Sequence, residues 1–222
     1  MSVFFFPGQG SQTPGMGADF YRDSQAARAV FDAAAEQLGR DLIDIMFHGP
    51  SDALTDTRRA QPALVLCGIA IAAHLAASNV RPTACAGHSV GEIAALAVAG
   101  ALATNDALAI TVERARLMAE TAAPGGMAAV LGLAPDAIQA TLPTGVEIAN
   151  YNGPQQTIIA GQQDALDAAI DALKAAGAKR VLPLRVSGPF HSSYMQPAAD
   201  AFREVVADIP LNLPQVRFVS SV

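Results

Sequence analysis

The chain has 222 residues, of which 51% are hydrophobic and 15% charged, and a formal net charge of −6. That length accommodates one large domain, or one domain carrying a smaller insert, and the apolar share belongs to an ordered globular protein rather than a disordered one. The negative balance gives no general electrostatic drive toward nucleic acid or an anionic membrane.

Val3 to Phe6 is a short apolar strand that runs into the glycine-rich stretch Pro7 to Gly17. No basic region precedes it, so no signal peptide is expected. The loop lacks the Gly-Lys-Ser/Thr ending of a phosphate-binding loop and the glycine spacing of a dinucleotide fingerprint. It is either a plain surface turn or a backbone that approaches a substrate closely. Ser24 caps a predicted helix through Leu38, ended by Gly39, and Leu42 to Phe47 is a shorter one, stopped by Gly49-Pro50. Ser51 to Gln61 reads as polar connection, after which Pro62 opens an apolar segment to Ala77. That segment is shorter than the roughly 20 residues that span a bilayer, and it contains Gly68 and His74, so it is expected to be a core helix. Cys67 and Cys85 lie in apolar runs without metal-ligand spacing, as buried thiols in a reducing cytosol would. A cytoplasmic protein is the expectation.

Thr83 to Gly100 is the stretch around which the rest is organised. A run of small residues ends at Gly87, and from Glu92 the pattern turns helical, with Ile93, Leu96, Ala97 and Gly100 at three- and four-residue steps. Gly87, Ser89 and Gly91 form Gly-x-Ser-x-Gly, in which a sharp turn presents a serine hydroxyl at a helix N-terminus. Such a serine can act as a nucleophile once a base takes its proton, and the Val90 N–H is a natural donor to the resulting oxyanion.

A further helix, capped by Asn105 or Asp106, runs to about Thr121, and Pro124-Gly125-Gly126 breaks the pattern. From Met127 the order is strand, helix, strand, strand, helix, strand, ending near Leu184. This is the ferredoxin-like split arrangement. The expected division is a small subdomain at 124–186 inserted in a larger α/β domain made of 1–123 and 187–222. A loop holding His191, a helix to about Ala207 and a strand from Gln215 complete the chain.

Of the four histidines, His88 is read as packing beneath the turn, His74 as a core residue and His48 as a loop residue. His191, in a loop where the chain re-enters the large domain, is the candidate general base, its rival role being helix capping. Arg116 has Glu113 and Glu120 as helical neighbours, whereas Arg114 lies among Ile110, Thr111, Leu117 and Met118. Arg114 either lays its stem over apolar surface or aims its guanidinium into a pocket to grip an anion.

Together, Phe6 to Gln12, Gln61-Pro62-Ala63, Gly87 to Glu92, Arg114, Asn150-Tyr151-Asn152 and Gly188 to Ser192 resemble the malonyl-CoA:acyl carrier protein transacylases, along the whole chain. The resemblance implies an α/β-hydrolase-like large subdomain with an inserted ferredoxin-like small one. It implies Ser89 as nucleophile, His191 as general base, the backbone N–H groups of Gln9 and Val90 as oxyanion hole and Arg114 as the clamp for the malonyl carboxylate. Gln61, Asn152 and Phe190 match positions near the substrate. The implied reaction carries malonyl from coenzyme A to Ser89 and then to the phosphopantetheine thiol of acyl carrier protein, with no metal or redox cofactor, in a monomer that binds neither nucleic acid nor membrane. Arg58, Arg59, Lys179 and Arg180 are the candidates for docking an acidic carrier.

Family members continue beyond the final strand, in a part whose glutamine orients the catalytic histidine. No matching residue stands here, and a fragment with an exposed final strand is expected. Two rivals remain at this stage: a serine hydrolase or thioesterase, and the malonyl transferase component of a malonate decarboxylase. The first would need an acid in the triad's role, and Asp164, Asp167 and Asp171 fall instead on the small subdomain's helix.

Overall fold

A computed structural model of the protein describes residues 2–121 and 123–221. In chain order the elements are β1 (Val3–Phe6), α1 (Ala18–Asp23), α2 (Gln25–Leu38), α3 (Arg40–His48), α4 (Ser51–Thr55), α5 (Thr57–Ala77), β2 (Ala84–Gly87), α6 (Gly91–Val98) and α7 (Thr104–Thr121). There follow β3 (Gly126–Leu131), α8 (Pro135–Thr141), β4 (Val146–Gly153), β5 (Gln156–Gly161), α9 (Gln163–Ala175), β6 (Arg180–Pro183), a 3-10 turn (Ser193–Met195), α10 (Gln196–Val206) and β7 (Arg217–Val219). The chain divides into two compact units, one of Met1–Arg116 with Glu204–Val222 and one of Leu117–Arg203.

In the first unit β1, β2 and β7 form a parallel sheet in the order β1-β2-β7. Parallel neighbours require long crossovers, and the helices between β1 and β2 supply one. The register pairs Val3 with Ala84 and Phe6 with Gly87, so β1 and β2 finish at the same edge. Helix α6 packs on both strands and α5 packs on α6. Phe6 and Cys85 are buried, whereas Val3, Phe5 and Val219 are exposed, as expected where successive side chains alternate between faces. Among α1, α2 and α3, which pack on α5, Tyr21, Phe31 and Phe47 form an aromatic cluster with centroids 5.9, 5.3 and 5.4 Å apart. Phe31 is fully buried, and a side chain of that size contributes about 1.5–3 kcal/mol by leaving water.

Ser24 caps α2 as its sequence predicts, its hydroxyl accepting from the Ala27 N–H at 3.3 Å, and Gly39 follows the last turn. Three features differ from the sequence reading, the slightest being that α7 begins at Thr104, so Asn105 and Asp106 lie in its first turn instead of capping it. Helix α1 begins after Gly17 with no side-chain cap, so nothing in the sequence announces it. The connection before Pro62 is itself helical: Asp56 caps α5 by accepting from the Arg58 N–H at 2.8 Å, and Pro62 lies inside the helix. The proline forgoes one bond, to the Arg58 carbonyl four residues back, while nearly every neighbour from Ala60 to Ala72 is buried. Helix α5 is long and apolar enough to cross a membrane, yet 61% of that window is buried inside the molecule, as befits a core helix.

In the second unit the sheet is antiparallel throughout, in the order β4-β5-β3-β6. With its element order this is the ferredoxin-like split βαβ arrangement. Alternation along β3 sorts the core. Ala128 and Val130 join Ile138 of α8 and Leu166, Ala169, Ile170 and Leu173 of α9 on one face. Met127 and Ala129 lie on the other with Ile158, Ala160, Phe190 and Met195.

Candidate active site

The first unit builds its site at the edge where β1 and β2 end, the usual place for ligands in parallel sheets. Between β2 and α6 the chain turns so sharply that Ser89 takes φ 52°, in the left-handed region. That conformation costs a non-glycine residue on the order of 1–2 kcal/mol. Both glycines of the motif are required by contact. A Cβ on Gly87 would lie 2.2 Å from the Gly91 carbonyl carbon, and one on Gly91 would lie 2.2 Å from the Phe6 carbonyl oxygen. The His88 N–H donates to Phe6 O at 2.9 Å, and Gly8 lies so close to the His88 ring that a Cβ there would meet Nδ1 at 2.4 Å. The half-buried His88 ring therefore packs against the Gly8 segment.

The Glu92 N–H donates to Ser89 O and the Ile93 N–H to Val90 O, each at 3.1 Å, so α6 starts on the turn itself. Among the described residues neither the Gln9 nor the Val90 amide has a hydrogen-bond partner within the molecule. Val90 is fully buried at the head of α6, where the helix dipole adds positive potential.

Arg114 of α7 joins the serine. Its Nη2 donates to Ser89 Oγ at 3.1 Å and its Nη1 to Gln61 Oε1 at 2.5 Å. The Ser89 oxygen is the acceptor here, which leaves its proton to be given elsewhere. Gln61 is 1% exposed, and its Nε2 donates to Gln9 Oε1 at 3.4 Å; Gln9 Nε2 in turn donates to Thr57 Oγ1 at 3.0 Å. Burial pushes the Arg114 guanidinium down to about 10, an effect the nearby charge of Glu92 opposes. The group stays cationic at neutral pH. Glu92 also accepts from the Ser220 hydroxyl at 2.9 Å and the Ser221 N–H at 2.7 Å, beyond β7. Burial pushes the Cys67 thiol up to about 11 and raises Cys85 as well, so neither competes with Ser89 as a nucleophile at neutral pH.

Gln9, Gln61, Ser89, Val90 and Arg114 thus belong to one unit, and hydrogen bonds link four of them. His191, Phe190 and Asn152 belong to the other. His191 is exposed at φ 59° on a loop pinned at several points. The Ser192 hydroxyl donates to Pro189 O at 2.5 Å, the Ser193 N–H to Glu147 Oε2 at 2.9 Å and the Tyr194 hydroxyl to Gly145 O at 3.3 Å. Phe190 is 4% exposed in the core beneath that loop, packed with Met127, Ile158 and Met195. Asn152 is exposed where β4 shifts register against β5. Sequence reasoning passed over Thr57, Glu147 and the Gln9 side chain, because each acts through partners 46 to 52 residues away. Among the described residues, no group of three or more His, Cys, Asp and Glu is placed to hold a metal ion.

Residues 3–222 match the family model described as acyl transferase domain. The chain is 41% identical to the malonyl CoA-acyl carrier protein transacylase of Bacillus subtilis over 224 residues, which cover 94% of this chain and 71% of that protein. An acyl-carrier-protein S-malonyltransferase structure from Burkholderia pseudomallei superposes with a TM-score of 0.94 at 39% identity, covering 100% of this chain and 75% of its own. A solved complex of a type II PKS acyl-carrier protein with its malonyl-transacylase gives a TM-score of 0.93 at 37% identity, covering 99% and 74%. An elbow serine held beside a buried arginine, the two-unit α/β architecture and these likenesses together make the chain a member of the acyl transferase domain family.

Proposed function

We propose that the chain is an acyl carrier protein S-malonyltransferase, working through a malonyl ester of Ser89. The observation that carries the reading is the guanidinium of Arg114, 3.1 Å from Ser89 Oγ and held by Gln61. A hydrolase of neutral esters has no use for a buried cation there, whereas the free carboxylate of a malonyl group would take it as a bidentate partner.

In the first half-reaction Ser89 Oγ attacks the thioester carbonyl of malonyl-CoA as its proton passes to the base. The oxyanion of the tetrahedral intermediate is received by the N–H groups of Gln9 and Val90. The C–S bond then breaks and the thiol of coenzyme A leaves with the proton. In the second half-reaction the phosphopantetheine thiol of the carrier gives its proton to the base and attacks the ester carbonyl, the C–O bond to Ser89 breaks, and Ser89 Oγ takes the proton back. The base in this reading is His191, assigned from the motif in which it stands, with Asn152 and Phe190 as further residues near the substrate. The reaction needs no metal or redox cofactor. The same reading places the enzyme in the cytoplasm as a monomer, with 124–186 as its small subdomain, and docks the acidic carrier on Arg58, Arg59, Lys179 and Arg180.

Intact-protein mass after brief mixing with malonyl-CoA, beside acetyl-CoA and a Ser89→Ala variant, tests it. One malonyl adduct that requires Ser89 and outcompetes acetyl is the expected result. Equal acetyl loading, or an adduct that survives in Ser89→Ala, would overturn it.

A further inference from the structure

Arg114 carries only donors, so the atom of Gln61 that meets it has to be the carbonyl oxygen. That fixes the Gln61 amide: its Nε2 faces Gln9, at 3.4 Å from Gln9 Oε1. The Gln9 amide is fixed in turn, with Oε1 toward Gln61 and Nε2 toward Thr57 Oγ1 at 3.0 Å. Turning either amide over would set donor against donor or acceptor against acceptor. The polarity therefore runs in one direction from the guanidinium to Thr57, where a hydroxyl accepts it. Thr57 is 3% exposed in the first turn of the core helix α5, so this end of the relay is buried and fixed to a helix.

We propose that Thr57 is a positioning residue for acyl selectivity: by accepting from Gln9 it sets the Gln9–Gln61 relay that aims Arg114 beside Ser89. The inference rests on the malonyl-transfer reading above. It adds a second task, because the residue whose side chain Thr57 holds is also the residue whose backbone N–H receives the oxyanion in that reading. Replacing Thr57 by valine keeps the shape and removes the acceptor, leaving the Gln9 NH2 to seek another partner. Serine keeps the acceptor.

The experiment compares malonyl with acetyl loading of Ser89 in single turnovers for the full chain, Thr57→Val and Thr57→Ser. The ratio of the two rates counts only folded, active molecules, so a loss of stability alone leaves it unchanged. Thr57→Val is expected to lower that ratio about tenfold, the scale of one lost buried hydrogen bond, with Thr57→Ser close to the unchanged chain. In a Gln61→Ala background Thr57→Val is expected to add nothing, because the relay is already cut. Should Thr57→Val not fold, Thr57→Ala removes the same acceptor without adding a branched apolar group. An unchanged ratio in the acceptor-less variant, or additive losses with Gln61→Ala, would overturn the role of Thr57 while leaving malonyl transfer standing. An unchanged chain with no malonyl preference would overturn both.

Discussion

The carboxylate of Glu147, on β4, accepts both the backbone N–H and the hydroxyl of Ser193, two residues beyond His191. It thereby caps the 3-10 turn that Ser192 leaves without a side-chain cap. Removing it in Glu147→Ala is expected to lower stability by about 1 kcal/mol, the scale of a lost helix cap. The same variant should slow Ser89 acylation at saturating malonyl-CoA more than it raises KM, since the cap lies two residues from the proposed base, whereas Phe190 is held separately by its core packing. Thermal melts and single-turnover loading measure the two effects.

Arg114→Ala is expected to cost roughly 10²-fold in kcat/KM for malonyl-CoA, on the scale of losing one partner of a desolvated charge pair. Acetyl loading should be spared. Arg114→Lys should restore little, because an ammonium cannot hold Gln61 and a carboxylate in one planar fork.

The arginine also sets a pH limit. With burial holding its folded-state value near 10, well below the ordinary arginine value, the guanidinium is charged throughout the neutral range and is discharged as pH rises through about 10. The malonyl-to-acetyl loading ratio should be flat from neutral pH upward and fall at that point. For stability the sign is opposite. Between these two values the unfolded chain holds the proton that the folded one has released, so the penalty of burying the charge is relieved as pH climbs.

Gly87→Ala should prevent folding or cost at least ~3 kcal/mol, since its new Cβ would collide with the backbone of Gly91 rather than with a side chain able to move. Soluble yield and melting temperature read this directly, and Gly91→Ala should behave alike.

Thr157 offers the reverse case. Its hydroxyl is buried on β5 and finds no hydrogen-bond partner among the described residues, opposite Val130 in the ladder. Thr157→Val removes the desolvated oxygen at nearly constant shape and is expected to stabilise the protein by about 1 kcal/mol. Denaturant melts of the two proteins would show it.

The elbow and the split βαβ unit are legible in the sequence because each depends on near neighbours: glycine spacing around Ser89, and period-two alternation along β3 and β5. Helix α1 is not, since Gly17 offers no capping side chain. The start of α5 is misread for a different reason. Pro62 looks like a beginning, whereas the burial of the surrounding residues offsets the single bond it loses. Arg114 illustrates a third kind of limit. Its position among apolar neighbours leaves a snorkelling arginine and a pocket arginine equally open, and only the long-range meeting with Gln61 and Ser89 separates them. Phe190 carries a motif position, but its burial with Met127 and Ile158 follows from sheet geometry that no local pattern encodes.

The register of β1 on β2 works as a ruler. Phe6 and Gly87 close the ladder side by side, so the segments bearing Gln9 and Val90 depart from neighbouring strands at one level. Strand separation in a sheet is nearly invariant, at about 4.8 Å. The backbone ladder therefore sets the level and the spacing at which the two donor-bearing segments leave the sheet, and the Gln9 side-chain relay only has to finish a placement already begun.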